Sequence, residues 1–155
     1  MATFWQYLIV MGLSATPILE LKASIPFGVI TYGIPVLTCF IIAILGAIIP
    51  APFVILFVRK VLDFFAECKI KPLNKLGHFI HCHTEKKAAK VRAGSLFTLF
   101  IFVAIPLPGT GVWTGSLIAG LLDLKLKHAL PTIFLGNIVA GILMLFVTHS
   151  INMIV

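Results

Sequence analysis

Two charged residues stand alone in the apolar first third of this chain. Glu20 and Lys22 are the only charges before Arg59, and they lie in the stretch Leu19-Glu-Leu-Lys-Ala-Ser-Ile-Pro26. A charge near the centre of a bilayer costs about 2.5 to 3.5 kcal/mol on insertion scales, so such residues face a site or a partner. The chemistry they offer is a proton-carrying or cation-binding carboxylate at Glu20, with Lys22 as its partner or as an anion contact. The plainer reading places both at the membrane interface, with Lys22 snorkelling. Residues two apart do not face each other on a helix, so direct pairing requires non-helical backbone at this point. Ser24 and Pro26 follow in the same motif.

A second candidate segment runs Ile105-Pro-Leu-Pro-Gly-Thr-Gly-Val-Trp-Thr-Gly-Ser116. Pro106 and Pro108 end the preceding helix, Gly109 and Gly111 permit positive φ, and Thr110 and Thr114 bring hydroxyls without charge. A helix resuming near Val112, with Trp113 in its first turn, points unpaired N–H groups and a positive dipole end at whatever enters. That end suits a phosphate, a carboxylate or the Glu20 carboxylate itself, although Gly and Pro also serve plain packing in membrane helices. Leu107 to Gly111 also spells a cell-wall sorting pentapeptide, a chance match with no basic tail behind it. Asn137, polar at membrane depth, either lines the site or makes an interhelical hydrogen bond.

The elements that must position these residues are set by composition. Of 155 residues, 60% are hydrophobic and 11% charged, with a mean hydropathy of +1.13. Soluble proteins are about one-quarter charged. The balance excludes a secreted domain, a cytosolic enzyme and a disordered tail, and it predicts an all-α integral membrane protein. The net charge of +7 is concentrated: residues 59 to 92 hold nine basic against three acidic residues, a balance of +6. Such a block between apolar halves fits the positive-inside rule for a cytoplasmic connector and argues against nucleic acid as a partner. Cys68 and Cys82 fall in that connector and are expected to stay reduced, as is Cys39 in an apolar run. The first apolar segment lacks a positively charged leader and is expected to be retained.

Four apolar stretches follow one another: Phe4 to Thr16, Ile34 to Val58, Ala93 to Ile105 and Ala129 to Val147, short then long, twice. Each short one stops at a proline and opens a broken stretch, Pro17 to Gly33 or Pro106 to Lys127. Leu45-Gly46 and Leu135-Gly136 lie ninety residues apart. The layout predicts two inverted repeats, 1–58 and 94–155, each a re-entrant helical hairpin followed by a spanning helix, joined by a cytoplasmic amphipathic connector at 59–93. Lys125 and Lys127 put the exit of the second hairpin on the cytoplasmic side, opposite the uncharged exit of the first. Four ordinary helices extended through their prolines remain the alternative. Gly136 with Ala140, Asn137 with Gly141 and Gly46 with Pro50 share helix faces and predict close packing.

In the connector, Leu73, Leu76, Phe79 and Ile80 recur at helical spacing after Pro72, as in an amphipathic helix lying on an anionic lipid surface. His78, His81, Cys82 and His83 cluster beside it, but their spacing matches no standard pair of zinc ligand pairs. No metal or cofactor is expected.

Glu20-Leu-Lys-Ala-Ser-Ile-Pro-Phe-Gly28, the long span after it and Pro106-Leu-Pro-Gly-Thr-Gly-Val-Trp-Thr-Gly115 together resemble the small multi-drug export family of prokaryotes, over nearly the whole chain. That family is similar in layout to the DedA and VTT-domain membrane proteins, which carry paired re-entrant hairpins and are implicated in moving lipids such as undecaprenyl phosphate. The present chain departs from them in having no arginine in its second hairpin, so a phosphate-lipid site would rest on Lys22, hydroxyls and backbone dipoles. The resemblance implies efflux. The leading expectation is a multi-pass, inner-membrane secondary transporter, proton-coupled through Glu20, moving a small amphipathic or lipid-like substrate between the hairpins. A non-transporting scaffold or lipid-binding protein is the alternative. An enzyme is disfavoured, because no nucleophile, base and orienting residue stand together. Membrane lipid is the expected partner, and a homodimer is compatible with so few helices.

Overall fold

A computed structural model of the chain describes residues 3–67, 88–107 and 109–152. The described residues form seven helices: α1 Phe4–Ala15, α2 Glu20–Tyr32, α3 Val36–Ile48, α4 Pro50–Glu67, α5 Ala88–Ala104, α6 Val112–Leu121 and α7 Leu126–Asn152. The expected amphipathic connector helix, the His/Cys cluster and Pro108 lie outside the described residues.

The boundaries follow local chemistry. At the start of α1, Thr3 accepts from the backbone of Gln6 while the Gln6 side chain takes the Thr3 N–H, a capping box. The helix stops at Ala15, two residues before Pro17, and α2 ends at Gly33, whose φ of 62° reverses the chain. Helix α2 continues through Pro26, so the region from Pro17 to Gly33 is less broken than its composition suggests. The long span expected from Ile34 to Val58 consists instead of two abutting helices. Pro50 and Pro52 cannot donate to the carbonyls of Gly46 and Ile48, and the ladder changes at Ile49. Across that junction Val36–Leu62 still extends 27 residues, and with Leu126–Thr148 at 23 residues it is long and apolar enough to cross a membrane. Helix α5 starts earlier than the apolar run, at Ala88, because helix formation does not require the first turn to be apolar.

The continuous α3/α4 rod is the backrest for both halves. Gly28, late in α2, sits against Cys39 early in α3, while Gly120, late in α6, sits against Ile55 and Val58 of α4. The two short helices thus start near the middle of the rod and run toward opposite ends. The main core gathers Leu21, Ile25, Ala47, Ile55, Leu99, Val103, Val112 and Ile133 from both halves. A satellite cluster of Val10, Val29, Ile34 and Cys39 holds the first three helices. Outside, Phe53, Phe57, Phe97 and Phe146 are each at least 65% exposed, an apolar girdle that suits lipid contact.

Glycine sets the closest approaches. A Cβ on Gly46 would strike the Met11 carbonyl of α1, and one on Gly136 would come within 3.0 Å of the Phe100 carbonyl of α5. The two Leu-Gly pairs spaced ninety residues apart therefore do the same job, letting each long helix touch the backbone of the short helix that opens its half. Gly12, by contrast, has nothing near it. Replacing Gly46 by Val should destabilise the detergent-solubilised protein by about 1–3 kcal/mol through overpacking, whereas Gly12→Ala should be neutral or raise the midpoint slightly. Thermal unfolding followed by circular dichroism distinguishes the two.

Candidate functional site

Glu20 opens α2 with a φ of 45°, one of two non-glycine residues with positive φ among the described residues. No side chain caps the N-terminus of α2. The non-helical backbone that the Glu20/Lys22 spacing required is therefore present, and it turns the Glu20 side chain away from its own helix. The carboxylate, in a residue only 5% exposed, reaches the start of α6, where Oε1 accepts the Trp113 backbone N–H at 3.1 Å. Gly111, the residue before α6, has a φ of 137°, and any Cβ there would collide with the Glu20 carboxylate. The helix end read as an anion cradle is thus filled by the chain's own anion. Phosphate or another substrate anion would have to displace it, because the free N–H and the dipole of α6 are already used.

Lys22 completes the cluster. Its Nζ lies 3.6 Å from Glu20 Oε2 and donates to the Leu107 carbonyl at 2.5 Å, to the Thr110 carbonyl, and to Thr110 Oγ1 at 3.4 Å. Pro106 and the turn after it expose these carbonyls, since the helical ladder ends at Ala104. The Thr110 hydroxyl closes the loop by donating to Ile105 O at 2.6 Å and Leu107 O at 2.9 Å. Thr114 Oγ1 donates to Gly109 O at 2.9 Å. Trp113 adds a second tie, its indole Nε1–H donating to the carbonyl of Ala15 at the end of α1 at 3.0 Å. Anion meets helix N-terminus and cation meets free carbonyls, so each charge lies where backbone dipoles favour it.

A cavity of about 330 Å³ opens beside the pair, lined by Glu20, Lys22, Pro106, Gly109, Thr110 and Thr114, with Pro17, Ile18, Leu19, Ala23 and Met144 as the remaining wall. Of the residues singled out by sequence, Gly111 and Trp113 stand behind the carboxylate, and Ser24, Pro26 and Asn137 do not line the cavity. Ser24 is buried with its hydroxyl unpaired among the described residues, and its carbonyl accepts from Cys39 Sγ at 3.8 Å. Asn137 is placed at the α3/α7 contact, donating to Ile44 O at 3.4 Å, so it is a packing group there rather than a wall of this cavity. Sequence reasoning missed the Leu107 and Ala15 carbonyls and Met144. The carbonyls could not be seen because a backbone acceptor carries no residue signature; Met144 could not because it sits inside the apolar run Ile142-Leu-Met-Leu-Phe146, where nothing in its type sets it apart.

Toward the C-terminal end of the α3/α4 rod, Arg59 lies 3.4 Å from Asp123 Oδ1 and donates to the Leu124 carbonyl. Asp123 is the second non-glycine residue with positive φ among the described residues, at 49°. This contact ties the α6/α7 turn, with exposed Lys125 and Lys127, to the end of the rod that leads into the basic connector.

A family model described as "Putative small multi-drug export protein" matches residues 20–143. No curated protein and no solved structure matches the chain. The matched segment begins at Glu20 and takes in every polar residue of the cluster.

Replacing Gly111 by Ala should cost about 1–3 kcal/mol for the disallowed backbone and more for the collision with Glu20. In a double-mutant cycle with Glu20→Ala the second part should vanish, leaving a coupling that unfolding midpoints can read.

Proposed function

The chain belongs to the small multi-drug export family, and from that premise we propose that it is a proton-coupled secondary transporter that exports or flips a small amphipathic substrate through the cavity between α2 and α6. The observation that carries this reading is the pair of a buried Glu20 and a half-buried Lys22 at the contact of two short helices from opposite halves of the chain. A buried, paired charge in an otherwise apolar molecule contributes less to stability than hydrophobic packing of the same volume would, and in a membrane such groups mark ion or substrate pathways. An export family also points to transport rather than to enzymatic chemistry.

Several features support an inverted-repeat architecture with re-entrant hairpins. Helix α2 extends 13 residues from Glu20 to one end of the rod and α6 extends 10 residues from Val112 toward the other, about 20 Å and about 15 Å. Their sum is close to the ~30 Å hydrocarbon core, which would put the carboxylate near mid-depth, as in transporters built from discontinuous helices. Gly46 and Gly136 play matching parts in the two halves. Arg59, Lys60, Lys125 and Lys127 gather at one end, which the positive-inside rule assigns to the cytoplasm, together with the connector. The membrane would be the inner membrane, with the exposed phenylalanines facing lipid.

In this mechanism Glu20 alternates between two partners' worth of compensation. Ionised, it is held by the Trp113 N–H and by Lys22, and it locks α2 to α6. Protonated, it releases both contacts, the two short helices separate, and the cavity opens to the other side. A proton bound from one face and released to the other thus couples to the movement of substrate. Glu20→Gln mimics the protonated state and should reduce pH-gradient-driven movement of a fluorescent amphipathic cation in proteoliposomes to the level of protein-free vesicles, with helical content unchanged. Transport equal to that of the unsubstituted protein would remove Glu20 from the mechanism. Single cysteines at Lys60 and Lys127 should label from the same side of sealed vesicles; labelling from opposite sides would remove the inverted-repeat reading.

A further inference from the structure

The surroundings of the Lys22 ammonium have the composition of a ligand site. Four oxygens face Nζ: the carbonyls of Leu107 and Thr110, Thr110 Oγ1, and Glu20 Oε2. An ammonium has three N–H donors and no acceptor, so the cage offers more acceptors than Lys22 can use. The Trp113 N–H, the donor suited to an anion, is committed to Glu20. The cavity continues past the ammonium between apolar side chains, Ile18, Leu19 and Met144 among them, so a short apolar body fits beside the head group. Among the described residues, Lys22 is the one cation lining this cavity.

Resting on the substrate-site reading above, we propose that this oxygen cage is the binding site for the head group of a primary-amine substrate, and that the Lys22 ammonium occupies it as a tethered stand-in between transport events. The four-carbon stem of lysine lets the head swing aside while its backbone stays in α2. A substrate ammonium entering as Lys22 leaves keeps the ionised Glu20 carboxylate compensated during the exchange, while the displaced Lys22 head turns into the open cavity. The site selects by N–H count: the carbonyls need hydrogens to bind, which a primary ammonium supplies and a quaternary ammonium lacks. The ligand class is therefore a small amphipathic primary amine.

Truncating Lys22 to Ala removes three methylenes and the ammonium, the equivalent of one propylammonium ion. The thermal midpoint of purified Lys22→Ala should lie below that of the unsubstituted protein and should recover most of the loss when n-propylammonium chloride is added at tens of millimolar. Tetramethylammonium and potassium chloride at equal ionic strength should give no recovery. The unsubstituted protein, with its cage filled, should not shift, and Glu20→Gln/Lys22→Ala should lose most of the recovery. No recovery, equal recovery by tetramethylammonium, or undiminished recovery in the double variant overturns the proposal. Should Lys22→Ala fold only when purified in propylammonium and unfold on its removal, the proposal stands; failure to fold in both conditions overturns it. These melts need no flux. Transport without amine rescue would therefore defeat the cage alone, while rescue without transport would defeat the transporter reading alone.

Discussion

The Glu20 carboxylate against the first turn of α6 is the contact on which the rest of the molecule depends. It joins residues 93 positions apart, and it is the point where a charge, two helix ends and a cavity meet. The pair with Lys22 neutralises it locally, and the backbone does the rest: N–H groups of α6 on one side, carbonyls released by Pro106 on the other. An apolar pair would pack there with less desolvation cost. In the transport mechanism proposed above, the ionic arrangement supplies instead a contact that one proton makes or breaks.

Around that contact the architecture is economical. One long rod, α3 with α4, supports both short helices and lets them start from the middle and diverge. Glycine at Gly46 and Gly136 brings the long helices onto backbone carbonyls, so the packing is close without large side chains. The apolar residues freed from packing face outward. Of the buried polar side chains among the described residues, Glu20 and Asn137 bond across the two halves, while Ser14, Ser116 and Thr148 bond within their own half.

Much of this was legible in the residues. The stop before Pro17, the helix resuming at Val112 and the need for irregular backbone between Glu20 and Lys22 all follow from proline, glycine and charge spacing, and all appear in the structure. The proximity of the two motifs was suggested by their opposed positions in the chain, and the Glu20 carboxylate was named among the anions that could fill the α6 end. The break at Ile49 was not read, although Pro50 and Pro52 announce it, because hydropathy is blind to a missing N–H. The place of Asn137 was equally hidden: an amide at membrane depth looks the same whether it lines a cavity or bonds a neighbouring carbonyl. The Leu107 and Thr110 carbonyls could be located only once the loop was folded.

The spacing of the Glu20 contact also governs how the molecule is made. Glu20 leaves the ribosome 93 residues ahead of Trp113 and Lys22 leaves it 88 ahead of Thr110, an interval of roughly 5–20 s at bacterial and eukaryotic synthesis rates. Throughout that interval Glu20 and Lys22 have each other, but they lack the Trp113 N–H and the Leu107 and Thr110 carbonyls that surround them in the finished fold. The full set of contacts around the pair therefore forms only after the second half has been made.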